Sequence, residues 1–147
     1  MLTLKEMSDR MEITDCLNDY CEAIDKGAID ALDFLFSENA HIDFSRAGGP
    51  CGQLAEIKSF LKKNLGALPR QHLLTNTRIH LKGDEANVRS ICLNSLELVK
   101  EGDRSRVALR GIWYNDQSSR TSKGWRMSER ITEPCYSWTF QVGTIPN

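Results

Sequence analysis

The residue order predicts an α+β fold, with helices first and a long antiparallel meander after them. Three observations carry this. Up to Leu65 the apolar side chains recur at helical spacing, whereas from Gln71 onward they alternate in strand fashion. Gly-Asp pairs at Gly83-Asp84 and Gly102-Asp103 punctuate the second half as hairpin signals. The chain has 147 residues, 40% hydrophobic and 27% charged, enough for one domain, 1–147, with its own core. Such a meander is expected to curl as a cone around the N-terminal helices, leaving a pocket at its mouth.

Taken in order, Thr3 caps a first helix and Glu6 completes a capping box. Leu4, Met7, Met11, Leu17 and Ile24 form its stripe, and Asp25-Lys26-Gly27 breaks it. A second short helix follows with Ile29, Leu32, Leu35 and Phe36 as its apolar face, then a turn at Ser37-Glu38-Asn39. Alternation from Ala40 to Phe44 marks a strand, and Arg46 to Pro50 a loop. A third helix carries Leu54, Ile57, Phe60, Leu61 and Leu65. Strands are expected over His72–Leu81, Ala86–Leu98 and Val107–Tyr114, joined by Lys82-Gly83-Asp84 and Glu101-Gly102-Asp103. The polar stretch Asn115–Lys123 reads as a mobile loop, and a last strand opens at Gly124-Trp125-Arg126.

A net charge of -1 with no basic block argues against nucleic acid as a partner. The apolar runs are far too short to span a membrane, and the first residues do not read as a secretory signal. Cys16, Cys21, Cys51, Cys92 and Cys135 show no Cys-x-x-Cys spacing, so they are expected to be buried thiols in a reducing cytosol, none with a base beside it. No metal site or dinucleotide fingerprint is expected.

Three patterns together resemble the SnoaL-like, nuclear-transport-factor-2-like superfamily. They are Tyr20 to Gly27 running into Leu32, Leu35 and Phe36 and then Ala40 to Phe44; Gln71-His72-Leu73-Leu74-Thr75-Asn76; and Gly124-Trp125-Arg126 after a polar loop. The resemblance implies a cystatin-like, cone-shaped α+β barrel. It also implies a cofactor-free lyase or isomerase and a homodimer or homotrimer joined through the outer sheet face. Catalytic members place a His–Asp dyad where His72 and Asp25 stand. The dehydrochlorinases have lysine at the position of Tyr20, and the bile-acid dehydratase relatives tyrosine. Scytalone dehydratase has tyrosines where this chain has Ile24 and Phe44, and a second histidine near Asn94. Other members are ring-hydroxylating dioxygenase β subunits, which are structural, and polyketide cyclases, so a non-catalytic module is the competing expectation.

The chemistry expected of these residues follows from their types. A neutral imidazole at position 72 can take a proton from carbon, and a carboxylate on its other nitrogen fixes the tautomer. Asp25 could instead cap the next helix. Tyr20 could donate to a leaving hydroxyl or carbonyl, but regular helix through Asp25 would turn the two apart. Arg110, and similarly Arg130, could clamp a carboxylate or enolate or simply face outward. Asn76, set with His72 and Leu74 by alternation, and Asn94 could bind substrate oxygen or tie strands. Ile24 and Phe44 would line an apolar pocket for a small, mostly apolar cyclic substrate.

Overall fold

The computed structural model describes residues 1–101 and 104–143. Helix α1 spans Leu4–Lys26. Thr3 Oγ1 accepts from the Glu6 backbone N–H at 3.2 Å, and the Glu6 carboxylate accepts from the Thr3 N–H at 2.7 Å, closing the expected capping box. Gly27 ends the helix in the left-handed conformation, φ 70°, its N–H bonded back to Ala23 and Ile24. A 3-10 turn, Ile29–Phe34, leads into β1, Phe36–Asp43. A 3-10 turn at Ser45–Ala47 and strand β2, Cys51–Gln53, precede α2, Leu54–Asn64. Four strands complete the chain: β3 Arg70–Lys82, β4 Glu85–Glu101, β5 Arg104–Thr121 and β6 Gly124–Gly143.

The strands form one curved, unclosed sheet in the order β2-β1-β6-β5-β4-β3. It is mixed rather than wholly antiparallel, because β1 runs parallel to β6. One face of the sheet packs on α1. Ile13, Leu17, Leu32, Ile42 and Ile57 are buried there with Trp125 and Met127.

Several expectations need correction. The α1 stripe does not include Leu4, Met7 or Met11, which are exposed. Continuing the buried positions Ile13, Leu17, Tyr20 and Ile24 backward by one turn reaches Asp9, which is 3% exposed and paired with Arg120 and Lys5. A charge thus occupies one position of the buried stripe. The second helix is a 3-10 turn only. Phe36 and Ser37-Glu38-Asn39 belong to β1, because β6 supplies their partner strand. The polar stretch Asn115–Thr121 is not a loop but the end of β5, paired with both β4 and β6. Its inward side chains Asp116 and Ser118 are buried, the first neutralised by Arg130. Composition concealed this strand because its buried face is polar. The expected hairpin Gly83-Asp84 joins β3 to β4, whereas Gly102-Asp103 lies outside the described residues.

Candidate active site

Asp25 lies in the last turn of α1, where a carboxylate meets the negative end of the helix dipole. The fold offsets this with cations. Arg70, at the start of β3, donates to the carbonyls of Leu65, Gly66 and Leu68 at 2.7–2.9 Å and to that of Ile24 at 3.4 Å. It therefore ties the end of α1 to the loop leading into β3. Two residues on, His72 meets Asp25 twice. The His72 backbone N–H donates to Asp25 Oδ2 at 2.9 Å, and His72 Nδ1 stands 2.5 Å from Oδ1. Asp25 is thus engaged by β3 and does not cap the next turn, whose N-terminus has no side-chain cap.

The imidazole is enclosed, with 7% of the His72 side chain and 21% of the Asp25 side chain exposed. Burial pushes the His72 pKa below 6.5, and the positive charges of Arg130 and Arg70 push the same way against the attraction of Asp25. A shift in this direction favours the neutral ring. A carboxylate on Nδ1 selects the Nδ1–H tautomer, leaving the lone pair on Nε2. Asn94, the register partner of His72 on β4, places its Nδ2 against that Nε2.

The neighbouring interior holds a second charge pair. Arg130 donates from Nε and Nη2 to the two Asp116 oxygens, each at 2.7 Å, and both side chains are 0% exposed. The guanidinium lies 4.0 Å from the Tyr20 ring centroid and 4.1 Å from that of Tyr114. Its Nη1 is buried without a hydrogen-bond partner among the described residues. Asn94 Oδ1, Ser90 Oγ and Thr132 Oγ1 are in the same state. Cross-strand register puts all four residues on the face that packs on α1. Buried polar atoms of this kind are ordinarily satisfied, so a row of them marks where a ligand or water would bond.

The remaining candidates divide. Ile24 is buried and Phe44 partly buried against the same core. Arg110 is exposed and opposite Asn94 in register. Tyr20 does not join the dyad, because α1 continues unbroken through Asp25. Five residues carry the chain about 140° further round the helix, and Tyr20 packs edge-on to Phe36 and Tyr114 beneath Arg130. Asn76 is not beside His72. A bulge between Thr75 and Arg78 breaks the alternation, and Asn76 takes the left-handed conformation there, φ 51°. It is exposed and lines a separate cavity of about 570 Å³ with Arg89, Ile91 and Trp113.

The thiol expectation also needs amendment. Cys16, Cys21 and Cys92 are buried, but Cys51 and Cys135 are exposed. Cys51 does have a base beside it, with His41 Nε2 3.5 Å from its sulfur. Desolvation, with the negative charges of Asp43 and Glu56, raises the Cys51 pKa, so the pair is no activated nucleophile. Arg70 and Asp116 were missed, and Arg130 was named only as a possible clamp, without its buried partner. The signal for the pair was faint, because the acid lies in a stretch read as loop.

The family model of the SnoaL-like domain matches residues 5–131. An uncharacterized protein of Mycobacterium tuberculosis strain H37Rv, Rv2910c, is 41% identical over 137 residues, covering 92% of each chain. Among solved structures, the hexachlorocyclohexane dehydrochlorinase LinA-type3 from Novosphingobium barchaimii superposes with a TM-score of 0.81 at 21% identity, over 98% of this chain and 99% of its own. A protein from Novosphingobium aromaticivorans, provisionally named an aromatic ring hydroxylase, gives 0.77 at 27% identity, over 94% of each chain. By the extent of the family match and by its fold, the chain belongs to the SnoaL-like domain family.

Proposed function

We propose that the protein is a cofactor-independent acid–base enzyme, a lyase or isomerase of dehydratase type, acting on a small, mostly apolar cyclic substrate. The observation that supports this most is the enclosed, neutral His72 with Asp25 on its Nδ1. In this reading Nε2 takes a proton from carbon, and the C–H electron pair becomes a π bond. In a lyase reaction the leaving group departs with its own electron pair. In an isomerisation the proton returns to a different carbon. Asp25 stabilises the imidazolium that forms. The unpartnered Nη1 of Arg130 is the buried donor best suited to charge developing on an enolate oxygen or leaving group. Arg110 would meet the substrate's polar end at the rim, and Ile24 and Phe44 its apolar body.

No helix among the described residues is long and apolar enough to cross a membrane, and the free thiols suit a reducing cytosol. The outer sheet face exposes Leu73, Tyr136, Trp138 and Phe140, with Tyr136 and Trp138 stacked at 4.6 Å. Copies of the chain would meet there as a homodimer or homotrimer.

Proton exchange provides the test, since it requires no knowledge of the leaving group. A panel of cyclic enones and β-hydroxy ketones in deuterium oxide should show enzyme-dependent exchange at carbon. His72→Ala should lower that rate roughly 10²–10⁴-fold, and Asp25→Asn by less. Unchanged rates in both folded variants would remove the dyad from the mechanism. No exchange with any member of the panel would favour a ligand-binding or β-subunit-like module.

A further inference from the structure

We infer that Asn94 is a positioning residue for His72, its carboxamide donating to Nε2 in the unliganded neutral ring, yielding Nε2 to the substrate C–H for the transfer, and turned over to accept from Nε2 once the ring holds a proton. The inference rests on reading His72 as the base, and it departs from the simpler role of Asn94 as a substrate ligand.

Asp25 occupies Nδ1, so the ring proton resides there and Nε2 offers only a lone pair. The group facing that lone pair is Asn94 Nδ2, a donor. Asn94 Oδ1 is buried with no partner among the described residues. A proton arriving on Nε2 would set N–H against N–H. Rotation of the carboxamide by half a turn about Cβ–Cγ removes that conflict and gives the orphaned oxygen its first hydrogen bond. The backbone need not move, because His72 and Asn94 are paired directly across β3 and β4. No proton leaves the pair in this step; only the sense of one hydrogen bond reverses. The new bond is charge-assisted and stronger than the one it replaces. Asn94 would therefore favour the imidazolium over the imidazole, on the side of the ring opposite Asp25.

The sign of one titration decides the matter. The charged groups acting on His72 are Asp25 from α1, Arg70 from β3 and Arg130 from β6, with Arg110 of β5 opposite Asn94 in register. All are retained in Asn94→Leu, which removes donor and acceptor at similar volume. The His72 midpoint, followed by ¹⁵N NMR on the unliganded protein, should fall by roughly one unit. A rise would mean that Asn94 is a fixed donor holding the ring neutral, and no change would mean that it does not bond the ring. Either result overturns the inference.

The wild-type protein gives a second reading that depends on no variant. Below the midpoint, the Nε2–H proton should appear downfield and exchange slowly with solvent, being bonded to oxygen. A fast-exchanging proton there would also overturn the inference. Neither reading uses turnover. A reversing cap in a protein without exchange activity would leave Asn94 assigned and the enzyme reading sunk, and the converse result would do the opposite.

Discussion

Two acid–base pairs lie on the same face of the sheet, and the fold treats them differently. Arg130 and Asp116 are wholly enclosed, bidentate and caged by aromatic rings. Burial alone would lower the Arg130 pKa, but the Asp116 carboxylate overrides it, so the guanidinium keeps its proton. His72 and Asp25 are less completely enclosed, and the histidine's pKa lies below its ordinary value. The difference is one of chemical type. A guanidinium cannot give up its proton and supplies a fixed field, whereas an imidazole can change state and serves as the moving part. Putting the permanent charge deeper keeps it dry and aligned, while the titratable pair keeps some contact with solvent through Asp25.

The strongest way to break this comparison is to unpair the deeper site. Arg130→Met leaves Asp116 buried without a counter-charge and should cost about 3–5 kcal/mol, read by urea unfolding. Arg130→Met with Asp116→Leu should recover most of that loss. If the single variant is as stable as wild type, the pair is not the fixed element proposed here. At the other site, Asp25→Asn leaves no buried charge and should cost only about 1–2 kcal/mol, while slowing carbon-proton exchange. A large stability loss with normal exchange would make Asp25 structural.

Titration sharpens the contrast. The His72 pKa is lower in the folded chain than the ordinary 6.5, so the unfolded chain takes up its proton first as pH falls. The histidine's contribution to stability is therefore complete above 6.5 and declines as pH drops toward the folded value. His72→Asn should flatten that part of the stability curve, whereas Arg130→Met, which takes away one of the charges that lower the His72 pKa, should only narrow it. A third pair gives the smallest effect. Arg120 and Lys5 hold the Asp9 carboxyl at about 2 against an ordinary 3.8, although burial opposes them. Its contribution is present above 3.8 and is lost as pH falls through about 2. Asp9→Asn should lower thermal stability above 3.8 and remove the further decline as pH falls toward 2.

Assembly separates the two faces of the same sheet. Trp138→Glu, on the exposed outer face, should convert an oligomer to monomer in sedimentation while leaving the His72 titration unchanged. An unchanged mass would place the interface elsewhere.

The sequence was most legible where local chemistry acts alone. Thr3 with Glu6, Gly27 and the Gly83-Asp84 turn marked boundaries because caps and tight turns are decided by neighbouring residues. It misled where a distant partner changes what a residue costs. No apolar pattern marks Asp9 as buried, since a distant Arg120 is what pairs it, and Asn115–Thr121 looked like loop until Arg130 satisfied Asp116. Alternation carried His72 inward correctly but also carried Asn76 with it, since a bulge leaves little trace in composition.

By itself, then, the sequence determined the order of helices and strands and the class of fold, through periodicity and turn residues that act within a few positions. Tertiary structure alone decided that Asp25 turns to His72 rather than to the next helical turn, that Tyr20 packs on Arg130 rather than joining Asp25 and His72, and that Asn94 faces His72 Nε2. Those are meetings of side chains 47, 110 and 22 positions apart. Their energies depend on which water is excluded and which partner fills the gap, and no local pattern encodes either.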